Sequence, residues 1–263
     1  QSIGVLPNGK VIVSGVFDAA SGLANTQNLA VWNGSGWEAL TAGANLGYVE
    51  TFDIAPNGDL IAAGPFSKLG GVTANGVARW NGTAWAPVGG GIASSGVYTA
   101  KALTNGSIVV GGGFASAGGV SGTKGLAKWN GSTWSGFGPG AITGQFDAVA
   151  VIKELPGGEL LIGGNFANVG GAPASNIARW NGTSWSALGA GIGGSGSSVS
   201  TIARMANGEI AVGGWFSSAG GQPSNSLARW NGSAWSDMSN GLGSGASINE
   251  LVLPPAGDLS AGG

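Results

Sequence analysis

The sequence predicts an all-β chain built from repeated four-stranded sheets, on three observations. Trp-Asn-Gly recurs at Trp32, Trp80, Trp129, Trp180 and Trp230, at spacings of 48, 49, 51 and 50 residues. Between these lies a second recurring stretch: "PNGKVIVSGVF", "PNGDLIAAGPF", "TNGSIVVGGGF", "PGGELLIGGNF" and "ANGEIAVGGWF", with an incomplete sixth copy, "PAGDLSAGG", at the end. No stretch carries the sustained apolar period of an amphipathic helix. Four antiparallel strands every ~49 residues, without helices, is the arithmetic of a β-propeller blade.

Each repeat reads as four short strands. Asn8-Gly9, Asn57-Gly58, Asn105-Gly106, Gly157-Gly158 and Asn207-Gly208 join a first strand to a second, and each fits a two-residue type I′ hairpin turn. The second strand, "LLIG" at Leu160–Gly163, is apolar throughout rather than alternating, which predicts burial on both faces. A loop rich in Gly, Ser, Ala and Asn follows, as in "SSAGGQPSN", and then a third strand such as "SLARW" at Ser226–Trp230. Asn231-Gly232 turns the chain into a fourth strand around Trp235.

The count is five complete blades plus a C-terminal hairpin, about five and a half repeats in one propeller domain over residues 1–263. Gln1 falls within a first strand, and Gly263 aligns with Gly214 inside a second strand, so both ends read as mid-blade. Three accounts fit: a fragment of a longer propeller, a six-position ring whose last blade lacks its outer strands, or a hairpin that pairs with another subunit.

Composition narrows the function. Gly (55) and Pro (10) are abundant, but 11 Trp and 43% apolar residues call for a packed structure, not a disordered one. Charged residues are only 8% and the net charge is −2, so there is no electrostatic reach for nucleic acid or anionic lipid. No apolar run is long enough to insert in a membrane as a helix. Cysteine is absent, which excludes disulfides and thiol chemistry. Solubility resting on Ser, Thr and Asn points outside the cell.

Chemistry is poorly provided for. With no His, the Ser-His-Asp triad, imidazole metal ligands and the usual general base are gone. Asp59, Glu159, Glu209 and Asp258 occupy one equivalent position after a hairpin turn, and a feature stamped into every copy reads as architecture rather than as a glycosidase pair. No calcium loop or phosphate-binding loop is present. The expectation is no enzyme, no cofactor and no metal.

Binding is the remaining class. Arg79, Lys128, Arg179 and Arg229 precede four of the five first tryptophans, while Val31 stands there in the first copy. Neighbours on a strand face opposite ways, so each cation and its Trp need separate accounts. Trp beside a basic or amide group is also how sugar sites are built. The first Trp of each pair reads mainly as seam packing; the second, at Trp37, Trp85, Trp134, Trp185 and Trp235, divides more evenly between packing and ligand stacking. Trp215 breaks the repeat, standing where Val16, Pro65, Gly113 and Asn165 stand elsewhere, and marks a place for a special contact. Asn33, Asn81, Asn105, Asn130, Asn181 and Asn231 are each followed by Gly and then Ser or Thr, so a eukaryotic secretory origin would make them glycan acceptors. Turn formation explains them without that.

"LPNGKVIVSGVF", "LLIGGNFANVGGAPASNIARWNG" and "IAVGGWFSSAGGQPSNSLARWNG" carry a family resemblance. They resemble the delta-60 repeat β-propellers, found mainly in secreted or surface bacterial proteins, and the repeats of fungal cortical-marker surface proteins. The shared pattern is a Pro-Asn/Asp-Gly turn, an apolar strand ending Gly-Gly-x-Phe, a Gly-Gly loop and Asn-x-Ala-Arg. This chain departs from the commonest bacterial form in continuing Trp-Asn-Gly-x-x-Trp. The resemblance implies a propeller in an extracellular setting and no catalytic residues. A structural or adhesive surface module is therefore expected, with a multivalent carbohydrate-binding propeller and self-assembly through the terminal hairpin as alternatives. Its partners would be glycans, other surface proteins or further copies of itself.

Overall fold

A computed structural model describes residues 2–40, 45–93, 96–138, 142–238, 242–243, 245–253 and 259–263. Among them there is no helix. The chain divides by its contacts into two compact units, Gln1–Gly136 and Phe137–Gly263. The first holds blades 1 to 3, the second blades 4 and 5 and a terminal strand pair.

Every blade is a four-stranded antiparallel meander. Blade 4 is representative: Ala148–Glu154, Leu160–Asn165, Ile177–Trp180 and Trp185–Ala187 pair in sequence order. Blade 5 repeats it with Ser198–Arg204, Ile210–Trp215, Leu227–Trp230 and Trp235–Asp237. Both first strands carry a register shift, at Val149/Val151 and Val199/Thr201, the signature of a bulge that adds local twist. The terminal pair is Glu250–Val252 with Ser260–Gly262. The turn expected between them, with Asp258, lies outside the described residues.

The uniformly apolar second strands are buried throughout, as their composition predicts: Leu60–Ala63, Ile108–Gly112 and the first five residues of Leu160–Asn165. They feed cores that run between sheets, such as the cluster of Ile61, Val97, Val110 and Phe114. Close approach explains the paired glycines of these strands. A Cβ on Gly163 would lie 2.5 Å from Val199 of the next blade, and one on Gly164 would lie 2.1 Å from the carbonyl oxygen of Ala148 in the first strand.

The turn chemistry differs from the sequence expectation in an instructive way. In the inner hairpins the N–H of Gly9, Gly58, Gly106 and Gly208 donates to the carbonyl three residues back, at 2.8–2.9 Å. Only the Gly, not the Asn, has positive φ. These are three-residue loops, a turn followed by a left-handed Gly bulge, not two-residue type I′ turns. The fifth inner turn, Gly157-Gly158, does have positive φ at both residues, but Leu155 N–H donates to the Glu159 carbonyl across the same three-residue loop. Two-residue loops with positive φ at both positions come after each second strand: Gly70-Gly71, Gly118-Gly119, Gly170-Gly171 and Gly220-Gly221, with Ser21-Gly22 in blade 1. Flanking partners such as Val169 and Ala172 close these two-residue loops.

Candidate functional site

The cations beside the tryptophans have partners on the neighbouring strand. Arg79 is paired with Asp59, Arg179 with Glu159 at 2.5 Å and Arg229 with Glu209 at 3.3 Å. The register sets Trp180 opposite Leu160, so Arg179 sits diagonally from Glu159, close enough for long side chains to meet. Asparagine in the preceding turn donates to the same acids, Asn57 to Asp59 at 2.7 Å and Asn207 to Glu209 at 2.8 Å. In blade 1 the signs are exchanged: Lys10 stands at the acid position and pairs with Glu38 of the fourth strand. The hydrogen bond from Lys10 holds the Glu38 carboxyl below the usual carboxylate range. Blade 3 has Ser107 at the acid position and Lys128 at the basic one.

The paired tryptophans lie directly opposite each other at the end of the outer hairpin, with ring centroids 5.2–5.5 Å apart. Their burial runs against the sequence expectation. The second rings are the deeper ones: Trp85 and Trp134 are 5% exposed and Trp185 is 8% exposed. The indole N–H of Trp134, Trp185 and Trp235 donates to the carbonyl of Gly89, Phe137 and Leu188, at 2.8, 3.1 and 2.7 Å. These acceptors sit in the segment that leads into the blade. Trp37 and Trp235 are half-buried. Trp85, Trp134 and Trp185 thus offer no open ring face, and at Trp134 and Trp185 the left-handed Gly of the preceding loop lets the ring close over it. Trp134 lies against Gly118 and Trp185 against Gly170. The first rings Trp32, Trp129, Trp180 and Trp230 are half-buried, and Trp80 is buried.

Two equivalent grooves open where adjacent blades meet. The groove between blades 2 and 3 has a volume of about 360 Å³; its floor is Ile61, Val88 and Ile108, and its walls carry the Asp59–Arg79 pair and Trp129. The groove between blades 4 and 5, about 320 Å³, repeats this with Leu161, Leu188, Ile210, the Glu159–Arg179 pair and Trp230. The indoles that border these two grooves, Trp129 and Trp230, are both first-of-pair residues. Sequence reasoning favoured the second rings; the signal it lacked was that the Gly-Gly loop and the second Trp belong to one packing unit. A further cavity of about 400 Å³ in the second unit is lined largely by loop glycines and serines with Asn165 and Asn176. Trp215 is 46% exposed at the end of its strand and borders none of these cavities.

All six candidate glycan acceptors are exposed at hairpin turns. Asn33, Asn81, Asn130, Asn181 and Asn231 each turn Oδ1 into their own loop, accepting the backbone N–H two and three residues on at 2.9–3.0 Å. Asn105 Oδ1 accepts the N–H of Ser107, at 2.9 Å. The side chain is a turn-forming element in its own right.

Two segments, 156–182 and 206–232, match the family described as "Domain of unknown function (DUF5122) beta-propeller". No curated protein matches the chain. Among solved structures, the one described as YCF48 bound to D1 peptide is similar with a TM-score of 0.53 and 15% identity, over 95% of this chain and 70% of that one. The extracellular domain of a one-component system from B. thetaiotaomicron is similar with a TM-score of 0.52 and 11% identity. That likeness covers 99% of this chain and 36% of the other, so the chain spans about a third of its length. These likenesses, the antiparallel blades and the repeat make the fold a β-propeller.

Proposed function

We propose that the chain is a non-catalytic β-propeller that serves outside the cell as a structural or adhesive module. One observation carries this reading: the acids that recur in the repeat are used as cross-strand partners. Asp59, Glu159 and Glu209 each hold an Arg of the adjacent strand, so the carboxylates stamped into the repeat are spent on joining strands, as copied architecture is. The low charge and the Ser, Thr and Asn surface support the extracellular setting. The test is a panel of hydrolase and lyase substrates. No turnover is expected, and turnover abolished by Glu209→Gln alone would overturn the proposal.

The seam grooves favour a second reading, carbohydrate binding. An indole edge beside an ion pair and a turn amide presents an apolar face and polar groups together, which is what a sugar ring requires. Glycan-array binding that falls in Trp129→Phe and Trp230→Phe would support it, and binding unchanged in both would remove it. A neighbour in fold holds a peptide, the D1 peptide of the YCF48 structure, so a peptide belongs among the probes.

A further inference from the structure

The two seam grooves share a shape but not a charge. At the rim of the blade 4/5 groove stands Arg204, exposed, with no ion-pair or hydrogen-bond partner among the described residues. Its guanidinium lies over the inner turn, 3.6 Å from where a Cβ on Gly208 would be. The equivalent positions are Val5, Ile54, Ala102 and Glu154, so this cation occurs in one blade only. A residue that departs from the repeat in a groove made by the repeat is where a specific contact belongs.

We propose that the blade 4/5 groove binds a carboxylate-bearing sugar, a hexuronate unit within an acidic polysaccharide. This rests on the carbohydrate reading and narrows it to one groove and one ligand chemistry. Trp230 supplies a half-open indole for the apolar face of a pyranose ring. Arg204 supplies a planar donor fork that matches a carboxylate bidentately. The Glu159–Arg179 pair and the amide of Asn231, whose Oδ1 is already committed to its own loop, are left to meet hydroxyls. The lining charge selects the ligand further. Glu159 and Glu209 border the same groove as Arg179 and Arg204, so the site has one unpaired positive charge beside two acids. One carboxylate matches that single charge, whereas a phosphate dianion would bring a second negative charge to the same spot beside those acids. The volume of about 320 Å³ is at the small end of ligand clefts, which suits a short stretch of a chain rather than a bulky headgroup.

The test is calorimetric titration of the whole chain with trigalacturonate, cellotriose and triglutamate, repeated with Arg204→Ala and Trp230→Phe. Trigalacturonate is expected to bind at one site, and Arg204→Ala to weaken it by about tenfold or more, the loss of a charge-assisted hydrogen-bonded contact. Arg204 is exposed, so its removal leaves the fold intact, and an unchanged melting temperature verifies that. Equal affinity of Arg204→Ala and the parent protein overturns the proposal. Cellotriose binding as tightly as trigalacturonate overturns the acidic assignment while leaving carbohydrate binding in place. Triglutamate binding as tightly overturns the sugar assignment in favour of an acidic peptide. Binding of none of the three removes both the proposal and the carbohydrate reading.

Discussion

At the scale of single residues, the cross-strand ion pairs look alike in sequence but differ in what they hold. Asp59 is 7% exposed and shares its carboxylate between Arg79 and the Asn57 amide. Glu159 is more open, and Arg179 is its partner in a half-exposed pair. Removing one partner of a buried charged hydrogen bond leaves the other desolvated, at about 1–3 kcal/mol, whereas an exposed pair contributes under about 1 kcal/mol. Arg79→Ala should therefore lower urea-unfolding stability by clearly more than Arg179→Ala. Equal losses would mean that burial of the acid does not set the value of these pairs. The pairing was legible only in part. The acid position was visible as one copied site after a turn and the basic position as one copied site before Trp, but joining them required the register that sets Trp180 against Leu160. Arg204 left no periodic trace at all, since its position changes identity in every copy, and only the groove gives it meaning.

At the scale of the element, the Gly-Gly loop and the second Trp form one packing device, and paired substitutions separate its two physical parts. A Cβ on Gly170 would sit 2.6 Å from Cδ1 of Trp185 and 2.7 Å from the carbonyl oxygen of Phe137, at a φ of +56°. Gly171, at +81°, has nothing within 4 Å. Gly171→Ala should cost only the left-handed backbone strain, about 1 kcal/mol, while Gly170→Ala adds overpacking against a buried ring and should cost about 2–4 kcal/mol in thermal or urea unfolding. Similar costs at both positions would show that the ring is not held by this contact. The hairpins divide in a related way. In the inner turns the N–H of Gly58, Gly106 and Gly208 is held by a carbonyl; for Gly82, Gly131 and Gly232 in the outer turns no such bond forms among the described residues. Asn-Gly deamidation needs that nitrogen to attack the Asn side-chain carbonyl, expelling ammonia and closing a succinimide. Peptide mapping after incubation at mildly alkaline pH should find aspartate and isoaspartate at Asn81, Asn130 and Asn231 before Asn57, Asn105 and Asn207; the reverse order would contradict the hydrogen-bond assignment. Sequence alone placed both sets of turns and mistyped the inner ones, because Gly with positive φ serves a type I′ turn and a bulged three-residue loop equally well. Loop length decides between them, and strand ends carry no mark in the sequence.

At the scale of the whole molecule, the repeat was legible because it is arithmetic: tryptophans at a fixed interval, apolar second strands, glycine where sheets approach. What no repeat can announce is how closely the sheets approach one another at each copy. Gly163 stands in the second strand of blade 4, where an added Cβ would lie 2.5 Å from Val199 of the next blade and 2.9 Å from Val151 of its own first strand. Both valines are packed into the core that the two sheets share. The backbone of Gly163 is not in the left-handed region, so Gly163→Ala should cost overpacking alone, about 1–3 kcal/mol in urea or thermal unfolding. An unchanged melting temperature would show that the two sheets of this unit do not pack at the distance glycine permits.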